Sequence, residues 1–472
     1  MKYSFLAKIN KKGSALLLTL FFSALFLIMF GAIITYISTQ HKAVQQEINR
    51  AQAINVAEAG VAYYRWHLAH LPDDYSSNTG EHVYKDRAGK NFGVYDVSVQ
   101  QPSVGSTVAQ ITANAYPAEA PQVKGRVRAL YGKPTLAHYA FLTNSNVWFG
   151  DTEKISGELH ANGGVRMDGI GDSILSSAQQ TYICGQEHGC NNEEKPGIWG
   201  TGQDASLWRL AVEPIDFNAI LLNLETMKTD ADADGIYLPD SGSFGYFVEF
   251  HANATLTIYT VTAVANAVDG YNGTKTVTES IDKTAWLAVP NYENIPLPHN
   301  GLIFLEDDVW VSGQVNGRVT LAAARLPDGS FERADIYLQN DLTYITHDGH
   351  DVLGLIGQED ILATFQCESD LIIDASLIAV HGHVYRYYYQ TTKKEPYKTY
   401  ALRDKIKTYG SIITNTTWTW SWVTTDGGPV TSGFQNTETV YDPNLTYAAP
   451  PSFPTENQYV FISWEELELK EE

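Results

Sequence analysis

The chain has 472 residues, more than one ordinary domain holds, so its length predicts two or three folding units. Its formal net charge is −22, and no basic stripe follows the first dozen residues, so nothing in the composition indicates a nucleic-acid partner. Hydrophobic residues make up 44% of the chain and aromatic residues 12%, and Val-, Thr- and Tyr-rich runs dominate after residue 90. This composition favours β structure with a substantial core.

A basic leader and a long apolar run begin the chain. Four lysines within residues 2–12 precede an uncharged segment that extends from Ser14 to about Ile37. About 24 helical residues span roughly 36 Å, which is enough to cross a bilayer. The lysines before the run place the N-terminus in the cytoplasm.

A cleaved secretory signal would have a shorter apolar core and small residues at its cleavage site. We therefore expect a single-pass membrane anchor, with the bulk of the chain outside the cytoplasm.

The helical pattern continues beyond the apolar run. No proline occurs between Gln40 and Leu71, and apolar residues recur near the helical period until Pro72. The pattern predicts one continuous helix over 14–71, about 58 residues and some 87 Å long. Half of this helix would lie in lipid, and half would project outward.

This N-terminus resembles that of type IV pilin-like proteins. The resemblance rests on the basic leader over 1–13, on the apolar helix, and on the stretch AQAINVAEAGVAY at 51–63. The tetrad at 57–60 is similar to that of PilX-like minor pilins. The resemblance implies that a prepilin peptidase cleaves between Gly13 and Ser14. It also implies that the lipid bilayer and other pilin-like subunits are partners of the chain.

Leu18 departs from the pattern of that family. Major pilins carry a glutamate at the fifth mature position, where it is thought to pair with the N-terminal amine of a neighbouring subunit. Here that position is Leu18, so the amine of Ser14 has no acidic partner on an identical neighbour. We expect a minor or tip component, a priming subunit or a solitary membrane protein rather than a repeated shaft subunit. A plain single-pass anchor without a pilus role is the alternative.

The remainder of the chain predicts an α+β fold that is mainly β. Alternating stretches at 92–100, 110–116 and 123–131 predict a small antiparallel sheet within 72–134. Short apolar β runs between polar turns over 135–455 predict a β-solenoid-like exported body, with a β-sandwich as the alternative. An α/β insert is expected at about 200–290, with a helix from Ile215 to Asp234 that Asp216 caps. Residues 456–472 are an acidic tail.

The body is also similar to the C-terminal part of large bacterial exported proteins that have pilin-like N-termini. The residues that carry this similarity lie at 156–164, 351–356, 409–412, 441–443 and 450–454. The similarity implies an exported location and says little about activity.

The three cysteines predict one disulfide and one buried thiol. Cys184 and Cys190 enclose a short polar loop, which in an exported protein indicates a small disulfide loop. A zinc site would need four ligands, and only His188 lies near the pair. Cys367 is expected to be a buried thiol.

Alternating aspartates indicate a calcium loop as the main candidate for a cofactor. Asp230, Asp232 and Asp234 precede Gly235 as in the first half of such a loop, and Asp240 lies next to the twelfth position, Ser241. The alternative is a polar helix end that Gly235 caps. No other cofactor is expected.

Tryptophans and histidines supply two further candidate sites. Trp418, Trp420 and Trp422 alternate, so one strand face would carry all three, either to bind a surface glycan or partner or to pack against the body. The histidine pairs 347/350 and 381/383 could each contribute to a metal site, although solvated turn histidines are the favoured interpretation.

No catalytic motif occurs in the sequence. It has no Gly-x-Ser-x-Gly, His-Glu-x-x-His, phosphate loop or dinucleotide fingerprint. We therefore expect a structural or adhesive surface protein and not an enzyme. The alternative is a membrane-tethered carbohydrate-binding or carbohydrate-active protein that uses paired carboxylates.

Overall fold

The computed structural model describes residues 12–102, 106–329, 332–423, 428–455 and 459–467. Its helices are α1 (Lys12–His70), α2 (Asn218–Asp234) and α3 (Tyr397–Tyr400). The strands up to residue 210 are β1 (Gly80–Lys85), β2 (Asn91–Gln100), β3 (Val108–Pro117), β4 (Gly125–Gly132), β5 (Phe141–Thr143), β6 (Val147–Phe149), β7 (Glu153–Ser156), β8 (Leu159–Ala161), β9 (Val165–Met167), β10 (Ile170–Gly171), β11 (Leu175–Ser177), β12 (Thr181–Cys184), β13 (Glu193–Pro196), β14 (Ile198–Trp199) and β15 (Trp208–Leu210).

The later strands are β16 (Ile236–Leu238), β17 (Tyr246–His251), β18 (Thr255–Val264), β19 (Val268–Tyr271), β20 (Thr276–Glu279), β21 (Lys283–Ala288), β22 (Ile295–Pro296), β23 (Leu302–Leu305), β24 (Val309–Val315), β25 (Arg318–Ala323), β26 (Ile336–Tyr344), β27 (Val352–Gly357), β28 (Ile361–Ala363), β29 (Asp370–Ala379), β30 (Val384–Tyr385), β31 (Leu402–Thr414), β32 (Trp418–Thr419), β33 (Ser421–Val423), β34 (Val430–Tyr441) and β35 (Val460–Glu466). The fold is thus mainly β with one long N-terminal helix, as the sequence predicts.

The described residues form two compact units. The first comprises 12–101, 109–131 and 461–467, and the second comprises the described residues within 102–108 and 132–460. In the first unit, α1 is accompanied by a five-stranded sheet in the order β1-β2-β3-β4-β35. Strands β1, β2 and β3 are antiparallel neighbours, which confirms the predicted small antiparallel sheet. Its edge strand β35 comes from the acidic C-terminal segment.

Parallel pairing dominates the second unit. From β23 to β32, consecutive strands alternate between two ladders, so each strand pairs in parallel with the strand two places before it. The first ladder, called ladder A, runs β16-β23-β25-β27-β29-β31-β5-β8-β11-β15. The second, called ladder B, runs β17-β24-β26-β28-β30-β32.

The order of ladder A breaks the order of the chain. Strand β31, the last strand of ladder A in sequence, lies between β29 and β5. It therefore pairs with β5, which is the first strand of the ladder in sequence. The two ends of the ladder are β15 and β16, which are consecutive in the chain. At about 4.8 Å per strand, the ladder is roughly 43 Å long. The connection over 211–235, which contains α2, runs this distance between its ends.

Both faces of ladder A are buried at strands such as β5, β8, β23 and β27, which explains the continuous apolar runs in the sequence. All six residues of β27 are buried. Alternate side chains such as Leu353 and Leu355 join one core cluster, and Val352 and Ile356 join another. The second cluster also contains Leu224, Met227 and Ala231 of α2. A helix of this length is stabilised mainly by burying its apolar stripe in this way.

The boundaries of α2 differ slightly from the sequence prediction. The helix begins at Asn218, and Phe217, with helical backbone angles, takes the N-cap position that Asp216 was expected to fill. Phe217 is itself buried in the cluster beneath α2, so packing of this aromatic side chain rather than a polar cap sets the start of the helix. The end is as predicted, since the N–H of Gly235 donates to the carbonyl of Ala231.

Candidate membrane-anchoring and assembly helix

The first half of α1 carries a long run of exposed apolar side chains. Its best 18-residue window has a mean hydropathy of 2.6 and is not buried inside the protein, and no other described helix is long and apolar enough to cross a membrane. Leu18, the residue that replaces the expected carboxylate, is 59% exposed. Gly13 and Ser14, where processing is expected, lie in the backbone of α1, whereas residues 1–11 are outside the described residues.

Hydroxyl side chains in this apolar half are satisfied within the helix. Ser23 donates to the carbonyl of Thr19 at 2.6 Å, and Thr35 donates to the carbonyl of Gly31 at 2.8 Å. In hydrocarbon, an unsatisfied hydroxyl costs several kcal/mol. Because the backbone carbonyls accept these protons, the segment can lie in lipid without an unpaired polar group at these positions.

The second half of α1 packs closely on the antiparallel sheet. Small residues make this approach feasible. A Cβ atom on Gly60 would lie 2.9 Å from Cδ2 of Tyr95, and one on Gly125 would lie 2.8 Å from the carbonyl carbon of Ala53. Ala57 is fully buried, whereas Glu58 is exposed. The AEAG tetrad at 57–60 therefore serves helix–sheet packing through its Ala and Gly, and it leaves its carboxylate in solvent.

The end of α1 is fixed by a polar cluster around His67, which is 2% exposed. Asn78 Nδ2 lies 3.1 Å from His67 Nδ1, so Nδ1 accepts and Nε2 carries the proton that it donates to the carbonyl of Asp74 at 3.1 Å. Tyr64 donates to the same carbonyl, and burial raises the pKa of Tyr64 to about 12. These bonds hold the turn after the helix against its last buried residues.

Ion pairs attach the C-terminal strand to the same unit. Glu466 of β35 accepts from Arg50 of α1 at 2.7 Å, and Glu465 pairs with Arg128 of β4. The N–H of Leu467 donates to the carbonyl of Arg126. The acids of the C-terminal segment thus hold β35 to both α1 and β4.

The predicted cysteine and calcium residues have distinct surroundings. Cys184 and Cys190 form a disulfide, and Cys367 is a free, buried thiol. Asp230, Asp232 and Asp234 lie on the last turns of α2 and not in a loop. Asp230 and Asp234 are four residues apart and share a helix face, whereas Asp232 points to another side, so the three carboxylates do not converge.

Asp240 lies beyond β16, where its carboxylate accepts from the N–H of Gly242 at 2.7 Å. It does not join the aspartates of α2 in a ligand set. Among the residues that the structure describes, no three His, Cys, Asp or Glu side chains are grouped to hold a metal ion.

The three tryptophans at 418–422 do not form an exposed face. Trp418 and Trp420 are 5% and 1% exposed and belong to the interior core, and only Trp422 is part-exposed. Trp418 and Trp420 thus share one side, as alternation predicts, but that side faces the core, and Trp422 lies after the break between β32, which ends at Thr419, and β33, which begins at Ser421. Trp422 Nε1 donates to the carbonyl of Arg386.

The four histidines of the two predicted metal motifs each lie beside a different aspartate. The pairs are His347–Asp374 at 3.0 Å, His350–Asp351 at 2.8 Å, His381–Asp328 at 3.3 Å and His383–Asp360 at 3.1 Å. The structure therefore does not bring these histidines together as ligands of one ion.

A column of aspartates links successive strands of ladder B and was missed in the sequence. Asp308 Oδ1 accepts from the N–H of Asp335, Asp335 Oδ1 from the N–H of Asp360, and Asp360 Oδ1 from the N–H of His383. Burial raises the pKa of Asp308 to about 6. Each aspartate directly precedes an apolar strand, and this repeated Asp-Ile or Asp-Val step is the signal that could have revealed the column.

No protein-family model matches the chain, and no curated protein is similar to it at a significant level. Among solved structures, the chain is similar to the crystal structure of competence-associated pilin ComZ from Thermus thermophilus, with 13% identity and a TM-score of 0.32. The similarity covers 89% of this chain and 97% of that one.

Proposed function

We propose that the chain is a membrane-anchored, surface-exposed, pilin-like protein with a structural or adhesive role, and not an enzyme. The observation that carries this proposal is the continuity of α1, which extends unbroken from Lys12 to His70. Its apolar half is exposed and its second half is packed on an antiparallel sheet. One helix is thus suited both to lie in a bilayer and to hold a folded unit outside it.

Within this proposal, the chain is a minor or tip component that associates with other pilin-like subunits. Leu18 supports this position because it is apolar and exposed where a shaft subunit would need an acid for its neighbour's amine. A subunit without that acid can occupy a position in a filament where it does not have to pair with the N-terminal amine of an identical neighbour.

The second unit is, in this proposal, a β-solenoid that the anchor displays. The support is the pairing of each strand with the strand two places before it, repeated in parallel from β23 to β32, around a shared apolar interior. Such stacking buries a continuous core and leaves a long lateral surface for contact with other molecules.

N-terminal mass spectrometry of the protein from native membranes tests the proposal. We expect the mature chain to begin at Ser14, and a Gly13→Leu variant to keep its leader. A Gly31→Leu variant is the matched control, because it makes the same change within the apolar helix, away from the processing position. Retention of Met1 in the wild-type protein would contradict the proposed processing. Extraction of the full chain by alkaline carbonate without detergent would contradict the proposed membrane anchor.

A further inference from the structure

A buried lysine amine lies beside a side-chain carboxamide in the second unit. Lys283, the first residue of β21, is 5% exposed. Its Nζ lies 3.3 Å from Oδ1 of Asn340, a residue of β26 that is 57 positions away in sequence. The same Nζ lies 4.3 Å from the ring centre of Phe247 and 5.4 Å from that of Trp286. Aromatic rings therefore limit access of water to the amine.

A carboxylate lies on the other side of the same carboxamide. Asn340 Nδ2 donates to Glu368 Oε1 at 3.1 Å. An amine, a carboxamide and a carboxylate are therefore in hydrogen-bond contact in series. The backbone also holds Lys283 in place, because its N–H donates to Gln339 Oε1 at 3.1 Å. Lys283 is thus held by a neighbour of Asn340 on β26, and Asn340 is held by Glu368, which lies between β28 and β29.

We propose that Lys283 and Asn340 join in an intramolecular isopeptide bond, with Glu368 as the proton-relay group. In this reaction the neutral amine attacks the carboxamide carbon, so a bond forms between Lys283 Nζ and Asn340 Cγ. The bond between Cγ and Nδ2 breaks. One proton leaves Nζ, and one reaches Nδ2, which departs as ammonia. The carboxylate of Glu368, which already accepts from Nδ2, takes up the proton that leaves Nζ and, as the carboxylic acid, delivers it to Nδ2. No oxidant or reductant is required.

The surroundings of Lys283 favour the neutral amine that the reaction needs. Burial lowers the pKa of Lys283 to about 8, against the opposing effect of the carboxylates of Asp282 and Glu249. A substantial fraction of the amine is then uncharged near neutral pH, whereas an ordinary lysine is almost wholly protonated there.

The bond would attach an exposed strand to the stacked body. Strand β21 pairs antiparallel with β18 and is largely exposed, with Leu287 70% exposed. Edge strands of this kind detach easily and can pair with other chains. A covalent link from β21 to β26 would prevent detachment, and closing a long loop in the unfolded chain would further favour the folded state.

Peptide mass spectrometry of the purified, reduced full-length protein tests the proposal. We expect one branched peptide that contains both Lys283 and Asn340 and is lighter than the sum of the two by one ammonia. Lys283→Met and Asn340→Ala should each abolish it, and Glu368→Gln should reduce its yield. Lys393→Met, which removes a lysine that contacts Asp269 at 2.9 Å, is the control and should leave it intact. Recovery of the two wild-type peptides separately, at their full masses, would overturn the proposal.

Discussion

The side chain of Asn144 donates a hydrogen bond to the side-chain carbonyl of Asn415 at 2.8 Å, although 271 residues separate them in sequence. Asn162 in turn donates to Asn144 Oδ1 at 2.7 Å. The three amides follow β31, β5 and β8, which are neighbours in ladder A. They therefore cross the junction at which distant parts of the chain meet.

We expect Asn144→Ala to destabilise the second unit by about 1–2 kcal/mol, because it removes two hydrogen bonds of about 1 kcal/mol each. Urea denaturation of the detergent-solubilised chain measures this loss. In a double-mutant cycle with Asn415→Ala, the two changes should be less than additive, since they share one bond. Full additivity would mean that the two amides do not interact.

Gly60→Val should destabilise the first unit by about 2 kcal/mol or more, because its side chain would meet Tyr95 and Ala113 at closer than normal contact. Ala62→Val is the matched control, since Ala62 is exposed on the same helix. Hydrogen exchange of β2 and β3 reports on this unit. Equal protection in the two variants would contradict the close packing of α1 on the sheet.

Trp420→Ala should destabilise the second unit by about 3–5 kcal/mol, because it empties a large volume in the core next to Phe434. Trp286→Ala, at a position 43% exposed, should cost much less and serves as the control. Thermal unfolding compares the two. A Trp420→Ala protein as stable as the wild type would show that the indole is not part of the core.

Glu153 should make the stability of the second unit depend on pH. Burial raises the pKa of Glu153 from 4.5 to about 7, and Thr437 donates to its carboxylate. The folded state therefore holds a proton that the unfolded state has released, so stability falls as pH rises from about 4.5 through about 7.

Glu153→Gln removes this titration. At pH 8 the variant should be more stable than the wild type by on the order of 2 kcal/mol, and at pH 4 the two should be similar. The exposed Glu158→Gln is the control and should leave the pH profile unchanged. Denaturation midpoints across this range provide the comparison. A wild-type stability that rises between pH 5 and 8 would contradict the assignment.

Local sequence patterns predicted most of the helix and strands of the first unit. Apolar periodicity predicted α1 and placed its end to within one residue, and alternation predicted β2, β3 and β4. These elements depend on side chains close together in sequence. The edge strand β35 could not be recognised, because its place beside β4 depends on residues more than 300 positions apart, as the Arg128–Glu465 pair shows.

The candidate sites were harder to predict because they depend on three-dimensional context. The short spacing of Cys184 and Cys190 was informative, since a loop of that size brings the sulfurs together without help from the rest of the fold. The alternation of the tryptophans did not decide between a binding face and packing, and the structure packs Trp418 and Trp420 into the core and leaves only Trp422 part-exposed. Lys283 and Asn340 give no local signal, since only the packing of β21 near β26 brings them into contact.

The position of β5 has a consequence for biosynthesis. Its partner strand on one side, β31, ends at Thr414, so that side of β5 stays unpaired until most of the polypeptide has been made. Strand β4 likewise waits for β35 near the C-terminus. A prematurely terminated chain would expose both edges to proteases and chaperones, whereas a full-length chain covers them. The two late pairings thus allow quality control to distinguish finished molecules from fragments.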